Sequence, residues 1–255
     1  MPNYQSPLAH EEVFTIRTYE IDSRKHATPV ALVRLMQEAA MQNVLRLGLS
    51  VWDLEPHGIS WVLMRLTLRI ERLPRLGEQI RVSTCPTGFE KVFTHRDYRV
   101  FDAAGMLIAT SSSTWLLMDT QTRRMTRIPD FIMKYQQQVP PPDQWLPRAP
   151  EKLPAPEAAD RSKSRTVEWY DLDFNKHLNN TLYIQWLLET LDDDILEYGN
   201  LRALDILFRA EGRRADTLRT EHQRIASDTF VHRLTNADTQ KELAAMRTVW
   251  SIDEA

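Results

Sequence analysis

Glycine is scarce, with seven in 255 residues, and none falls into a GxGxxG or GxxxxGK(S/T) pattern. The backbone cradle that holds nucleotide phosphates in Rossmann and P-loop enzymes is therefore missing. Cysteine is scarcer still. Cys85 stands alone, so no intramolecular disulfide can form, and the seven histidines contain no HExxH or comparable close pair. These absences point to a reducing compartment and call for no structural metal and no cofactor. There is no long apolar run, which argues against a membrane span. Neither sign of charge dominates, the formal net charge being −3, and no basic run carries interleaved aromatics, so nucleic-acid binding is a poor account of the chain. The opening MPNYQSPLAHEEVF has neither a basic apolar signal nor an Arg/Ser-rich transit character, which predicts a chain that begins here and remains in the cytoplasm.

What is present is an average soluble composition, 42% hydrophobic and 26% charged residues, enough for a substantial core. Proline is concentrated, eight of 14 falling between Pro129 and Pro156. Proline removes backbone donors and disfavours regular elements, so residues 129–156 read as a linker between an N-terminal domain over 1–128 and a C-terminal domain over 157–255. Lys and Arg outnumber Asp and Glu by 16 to 13 in the first and are outnumbered by 13 to 19 in the second.

The two halves are related. Tyr19, Asp22, Lys25 and His26 recur as Tyr170, Asp173, Lys176 and His177, all at an offset of 151 residues. Thr28 and Asn179 then stand as N-cap residues before an apolar helix in each half, with Pro29 suited to the first helical position. The first helix, from Pro29 to about Leu49, is apolar over much of its circumference and should be buried. The second is expected to be shorter, because Asp192 to Asp194 interrupt its apolar stripe. After each helix come segments rich in Val, Ile, Thr and aromatics that read as antiparallel strands, with Asp102 to Gly105 as a hairpin turn. Thr114-Trp115 is echoed by Val249-Trp250. Each half thus predicts a helix wrapped by antiparallel strands.

The densest chemical cluster lies just before the second helix: Asp171, Asp173, Asn175, His177, Asn179 and Asn180. Helix N-terminal N–H groups lack intrahelical partners and can hold a developing oxyanion. An imidazole titrates near neutrality, and Asp173 is placed to fix its tautomer. Turn formation and capping alone would use the same residue types.

The pattern D-x-D-x-N-x-H-x-N-N-x-x-Y-x-x-W-x-L-E from Asp171 to Glu189 resembles the second-half motif of plant and bacterial acyl-acyl-carrier-protein thioesterases. Phe208 to Leu218 is similar to that family's Y-x-x-E-C-x-R-x-x-x-L segment, with Gly212 at the cysteine position. Phe14 to Asp22, Leu35 to Ala40 and Trp61-Val62 are similar to its first half. The resemblance implies an α+β double hotdog, two antiparallel sheets each wrapped around a long helix, with the catalytic apparatus in the second. Carried over by motif position, that apparatus is Asp173, Asn175, His177 and Glu211. The first copy has Arg24 in place of Asn175, which predicts one active site per chain. Gly212 excludes a cysteine nucleophile there and leaves only Cys85, so the expected reaction is attack by water on a fatty acyl thioester. Either Glu211 or His177 would be the base, with helix N–H groups after His177 holding the oxyanion.

A long acyl chain needs an apolar lining, for which Met36, Ala39, Ala40, Val44, Trp61 and Met64 are candidates. The expected partner is an acidic acyl carrier protein bearing a fatty acyl phosphopantetheine, met by Arg69, Arg72, Arg75 and Arg81 or by Arg213 and Arg214. A homodimer is also expected. Hydrolysis of acyl-coenzyme A and non-catalytic acyl binding are the other readings.

Overall fold

The computed structural model describes residues 4–149 and 152–252. The chain divides into two compact units, residues 1–148 and 149–255.

In the first unit, β1 (His10–Thr15) precedes α1 (Pro29–Leu47) and the short α2 (Val51–Leu54). There follow β2 (Ile59–Ile70), β3 (Gln79–Glu90), β4 (Phe93–Asp102), β5 (Leu107–Asp119), β6 (Met125–Thr126) and α3 (Asp130–Met133). The strands pair antiparallel in the order β1-β3-β4-β5-β2, with β6 beside β5. Helix α1 starts where capping chemistry places it, Thr28 Oγ1 accepting from Ala31 N at 3.0 Å with Pro29 in the first turn. It ends at Gly48, whose φ of 64° is the left-handed conformation of a helix C-cap. Met36, Ala39, Ala40 and Asn43 are buried on it. Asp102 Oδ1 accepts from the N–H groups of Ala104 and Met106, closing the expected β4–β5 turn.

In the second unit, β7 (Arg161–Thr166) is followed by α4 (Asn180–Leu188) and α5 (Asp193–Tyr198), then β8 (Gly199–Phe208), β9 (Thr217–Arg224), β10 (Thr229–Asn236) and β11 (Glu242–Ile252). The order β7-β9-β10-β11-β8 is that of the first unit, strand for strand. Helix α4 has nine residues against 19 in α1. The acidic triplet does more than interrupt it: Asp193 and Asp194 occupy the first turn of α5, where a helix dipole favours negative charge. The tryptophan echo is structural, since Trp115 Nε1 donates to Ser113 Oγ at 2.8 Å and Trp250 Nε1 to Thr248 Oγ1 at 3.0 Å.

The proline-rich segment differs from a plain linker. Ile132 on α3 joins the first unit's core. Further on, Arg148 donates to Asp97 Oδ1 at 2.6 Å, to Ser112 Oγ at 2.7 Å and to Thr87 Oγ1 at 2.8 Å, and Leu146 N donates to Asp97 Oδ2 at 2.8 Å. Asp97 is fully buried. A buried carboxylate needs such partners, and these bonds, with the Tyr135 hydroxyl donating to Leu47 O at 3.1 Å and Gln136 Oε1 accepting from Phe89 N at 2.8 Å, fasten residues 129–148 to the first unit as a strap. No helix of the described residues is long and apolar enough to cross a membrane.

Candidate functional site

The Asp173 loop owes its shape to one carboxylate. Asp173 Oδ1 accepts from Asn175 N at 2.8 Å and His177 N at 3.2 Å, while Asp173 N donates to His177 O at 2.8 Å and Lys176 N to Asp173 O at 3.0 Å. Lys176 carries a φ of 63°. Asp22 builds the same loop in the first unit with Arg24 N and His26 N, and Lys25 there has a φ of 64°. Asp173 thus holds the backbone, and the expectation that it fixes the imidazole tautomer is corrected, because its carboxylate is engaged by main-chain N–H groups.

The imidazole has another partner. His177 Nε2 lies 3.2 Å from Glu211 Oε2, with side-chain exposures of 23% and 27%. Glu211 follows β8 in a turn fastened to the loop by Leu178 N donating to Gly212 O at 2.8 Å. On either side of Glu211, the buried Tyr183 hydroxyl donates to Ala210 O at 3.1 Å and accepts from Gly212 N at 2.7 Å. Tyr183 is the tyrosine of the Asp171–Glu189 motif and lies on the apolar stripe of α4, where sequence reasoning assigned it no role at the site. Tyr183→Phe is expected to leave both main-chain groups unpaired, lowering stability by about 1–3 kcal/mol and kcat more than KM, as thermal melts and steady-state kinetics will show.

The first unit carries the same turn without the chemistry. Ala27 N donates to Pro74 O at 2.8 Å as Leu178 N does to Gly212 O, which sets Leu73 in the place of Glu211. His26 Nε2 instead accepts from Arg75 Nε at 3.2 Å. A cation faces the first imidazole and a carboxylate faces the second.

Asn175, two residues before His177, is exposed, and its side-chain amide makes no hydrogen bond to another described residue. The N–H groups after His177 are mostly engaged. Leu178 and Asn179 donate to Gly212 O and Asp171 O, and Thr181 donates to the N-cap Asn179 Oδ1 at 2.9 Å. Of the donors expected at this helix start, the Asn180 N–H is the one left in the first turn.

The one thiol is not accessible. Cys85 is buried on β3 and its thiol is pushed up to about 11, mainly by burial. At Gly212 an added Cβ would meet Leu178 Cβ at 3.2 Å and Leu218 Cδ1 at 3.3 Å.

Of the residues expected to line an acyl pocket, Met36, Ala39 and Ala40 are buried on α1, while Val44 and Trp61 pack against the core cluster that holds Ile132. Met64 is half-buried at a β-bulge of β2. Among the expected docking cations, Arg72 pairs with Glu78 and Asp102, Arg81 with Glu11, and Arg75 donates to His26. Arg69, Arg213 and Arg214 are exposed, with Arg214 set 5.3 Å from the Trp169 ring centroid. Trp169, Tyr170 and Phe174 are themselves exposed, Tyr170 at 97%.

A helix against antiparallel strands of one order in each unit, with the loop imidazole facing a carboxylate in the second unit and an arginine in the first, defines a double hotdog of the thioesterase kind. Residues 7–135 match the acyl-ACP thioesterase N-terminal domain and residues 155–252 the C-terminal domain; the chain belongs to the acyl-ACP thioesterase family. It is similar to the chloroplastic palmitoyl-acyl carrier protein thioesterase of Cuphea hookeriana, 30% identical over 229 residues, covering 84% of this chain and 54% of that one. The chain spans just over half the length of such curated relatives. Among solved structures it is similar to the 12:0-ACP thioesterase from Umbellularia californica, with a TM-score of 0.84, 25% identity and coverage of 96% and 97% of the two chains. The fold is shared with an acyl-ACP thioesterase from Bacteroides thetaiotaomicron, at a TM-score of 0.86 and 19% identity, over 96% of this chain and 98% of that one.

Proposed function

We propose that this protein hydrolyses fatty acyl-acyl-carrier-protein thioesters to free fatty acid and carrier protein. The observation that carries this reading is the 3.2 Å pair of His177 Nε2 and Glu211 Oε2 in the second unit, with the exposed Asn175 in the same loop and the one cysteine buried. Glu211 accepts a hydrogen bond from Nε2–H, which leaves Nδ1 unprotonated as the base that takes a proton from water. The water oxygen bonds to the thioester carbonyl carbon. The Asn175 amide and the Asn180 N–H hold the oxygen that becomes negative. The C–S bond then breaks, and the phosphopantetheine thiolate, a good leaving group, takes up the proton. Asp173 acts by shaping the loop.

The first unit supplies the acyl pocket through Met36, Ala39, Ala40, Val44, Trp61 and Met64. Arg213 and Arg214, near Glu211 in sequence and flanked by the exposed Trp169, offer an acidic carrier protein a cationic and aromatic surface; Arg69 is a further contact. A cytoplasmic homodimer is the form in which we expect it to work, the buried lone cysteine suiting a reducing compartment.

Purified protein offered a ladder of acyl-carrier-protein thioesters is expected to release free thiol, and more slowly from matched acyl-coenzyme A. No release at any chain length would overturn the proposal. Equal rates on both carriers would remove the carrier-protein preference.

A further inference from the structure

The interior of the first unit holds a cation that its fold does not require. Arg96 lies on the α1-facing side of β4 and is 7% exposed. Its Nη1 donates to Asn43 Oδ1 on α1 at 2.9 Å and to Thr84 Oγ1 on β3 at 3.1 Å. Both acceptors are neutral. Among the described residues no carboxylate pairs with it, and its Nε and Nη2 hydrogens meet no protein acceptor. Its chain neighbour Asp97 projects from the opposite face, where Arg148 engages it. Burial lowers the Arg96 pKa, yet a guanidinium keeps its proton in proteins, and an uncompensated buried charge is costly.

The second unit shows what the fold alone asks for at this place. Ser113 and Thr248 correspond, each accepting from the tryptophan two residues on. Ser113 pairs with Arg96 across β4 and β5, and Thr248 pairs with Phe230 across β10 and β11. Arg96 therefore stands where the twin sheet has the buried Phe230. By the same register Ser111, opposite Tyr98, stands where the twin has Met246, opposite His232. Ser111 Oγ is buried without a hydrogen-bond partner. Two positions that the fold fills with apolar side chains carry donors here.

The geometry points to an oxygen-recognition site inside the first unit, where Arg96 and Ser111 take up a hydroxyl or carbonyl oxygen borne along an acyl chain. This rests on the reading that the first unit holds the acyl group. The same sheet face presents Leu66, Leu68, Val82 and Val100. A free hydrated anion would have to shed its water among these residues, whereas an oxygenated acyl chain is apolar except at one point. The substrate class that follows is an oxygenated fatty acyl thioester.

The test uses matched pantetheine amides, which cannot be hydrolysed as thioesters, bearing dodecanoyl or dodecanoyl hydroxylated or oxidised to a ketone at successive positions. Calorimetric binding to the full chain is expected to favour at least one oxygenated probe by about tenfold or more. Arg96→Met and Arg96→Phe, the latter placing in β4 the residue found at the matching point of β10, are expected to fold and to lose that preference while still binding the plain chain. Equal affinities in the unsubstituted protein overturn the inference, as does a preference that survives both substitutions. Failure of both variants to fold also overturns it, by making the guanidinium a structural requirement. Absent turnover of every thioester would remove the hydrolase reading and leave the binding comparison to decide this one.

Discussion

His177→Ala and Glu211→Gln are each expected to lower kcat/KM for acyl-carrier-protein hydrolysis by about 10²–10⁴, the range for losing a positioned acid–base group. That corresponds to roughly 3–5 kcal/mol of transition-state stabilisation. The double variant should be no slower than the slower single variant by more than a small factor, because a dyad acts as one unit. Neither change should unfold the protein. Both side chains are about a quarter exposed, and exposed ion pairs contribute little to stability. The first unit supplies the control, since His26 sits in the same loop but faces Arg75; His26→Ala should leave the rate unchanged. Steady-state kinetics with thermal melts on the four variants and the unsubstituted protein decide the matter, and undiminished release by the double variant would sink the assignment.

Acidification is expected to destabilise the second unit well before its carboxylates protonate. His232 on β10 is fully buried, faces His222 on β9, and shares a hydrogen bond of 2.9 Å with Thr248 Oγ1 on β11. Burial pushes its pKa down to about 3, with repulsion from His222 adding to the shift; burial lowers that of His222 as well. The folded chain therefore stays unprotonated at His232 over a window in which the unfolded chain, titrating near 6.5, binds a proton. Stability is undiminished above that unfolded value and falls as pH drops from there towards 3. Between pH 7 and pH 5 the loss from His232 is about 2 kcal/mol. It should appear as a lower urea midpoint at unchanged slope. His232→Gln should flatten this dependence, and an equally steep one in that variant would exclude His232 as its source.

The elements legible in the sequence were those with an apolar face. Helix α1 and strands β2 to β5 and β8 to β11 carry runs of buried apolar residues, and their patterning marks them. Edge strands β1 and β7 do not. All six residues of β7, Arg161 to Thr166, are exposed, and a strand held by main-chain hydrogen bonds at a sheet edge leaves no hydrophobic period to read. The strap over 129–148 was obscured for a related reason, because it is fastened by scattered contacts, Ile132 in the core and Arg148 on the buried Asp97, rather than by a periodic pattern.

The sequence by itself determined the duplication, the helix starts at Thr28 and Asn179, and the loop that carries His177, because caps, turns and periodicity are local physics. Only the tertiary structure decided which carboxylate meets the imidazole. Asp173 is four residues from His177 and turns to the backbone, while Glu211, 34 positions on, is brought to 3.2 Å by the Gly212–Leu178 hydrogen bond and the Tyr183 hydroxyl. The same holds for Arg96, which reads as one more strand arginine until strand register places it opposite Ser113, beneath α1, where the twin sheet has Phe230. Pairing between distant segments is set by sheet register and burial, and neither is written in any local stretch of chain.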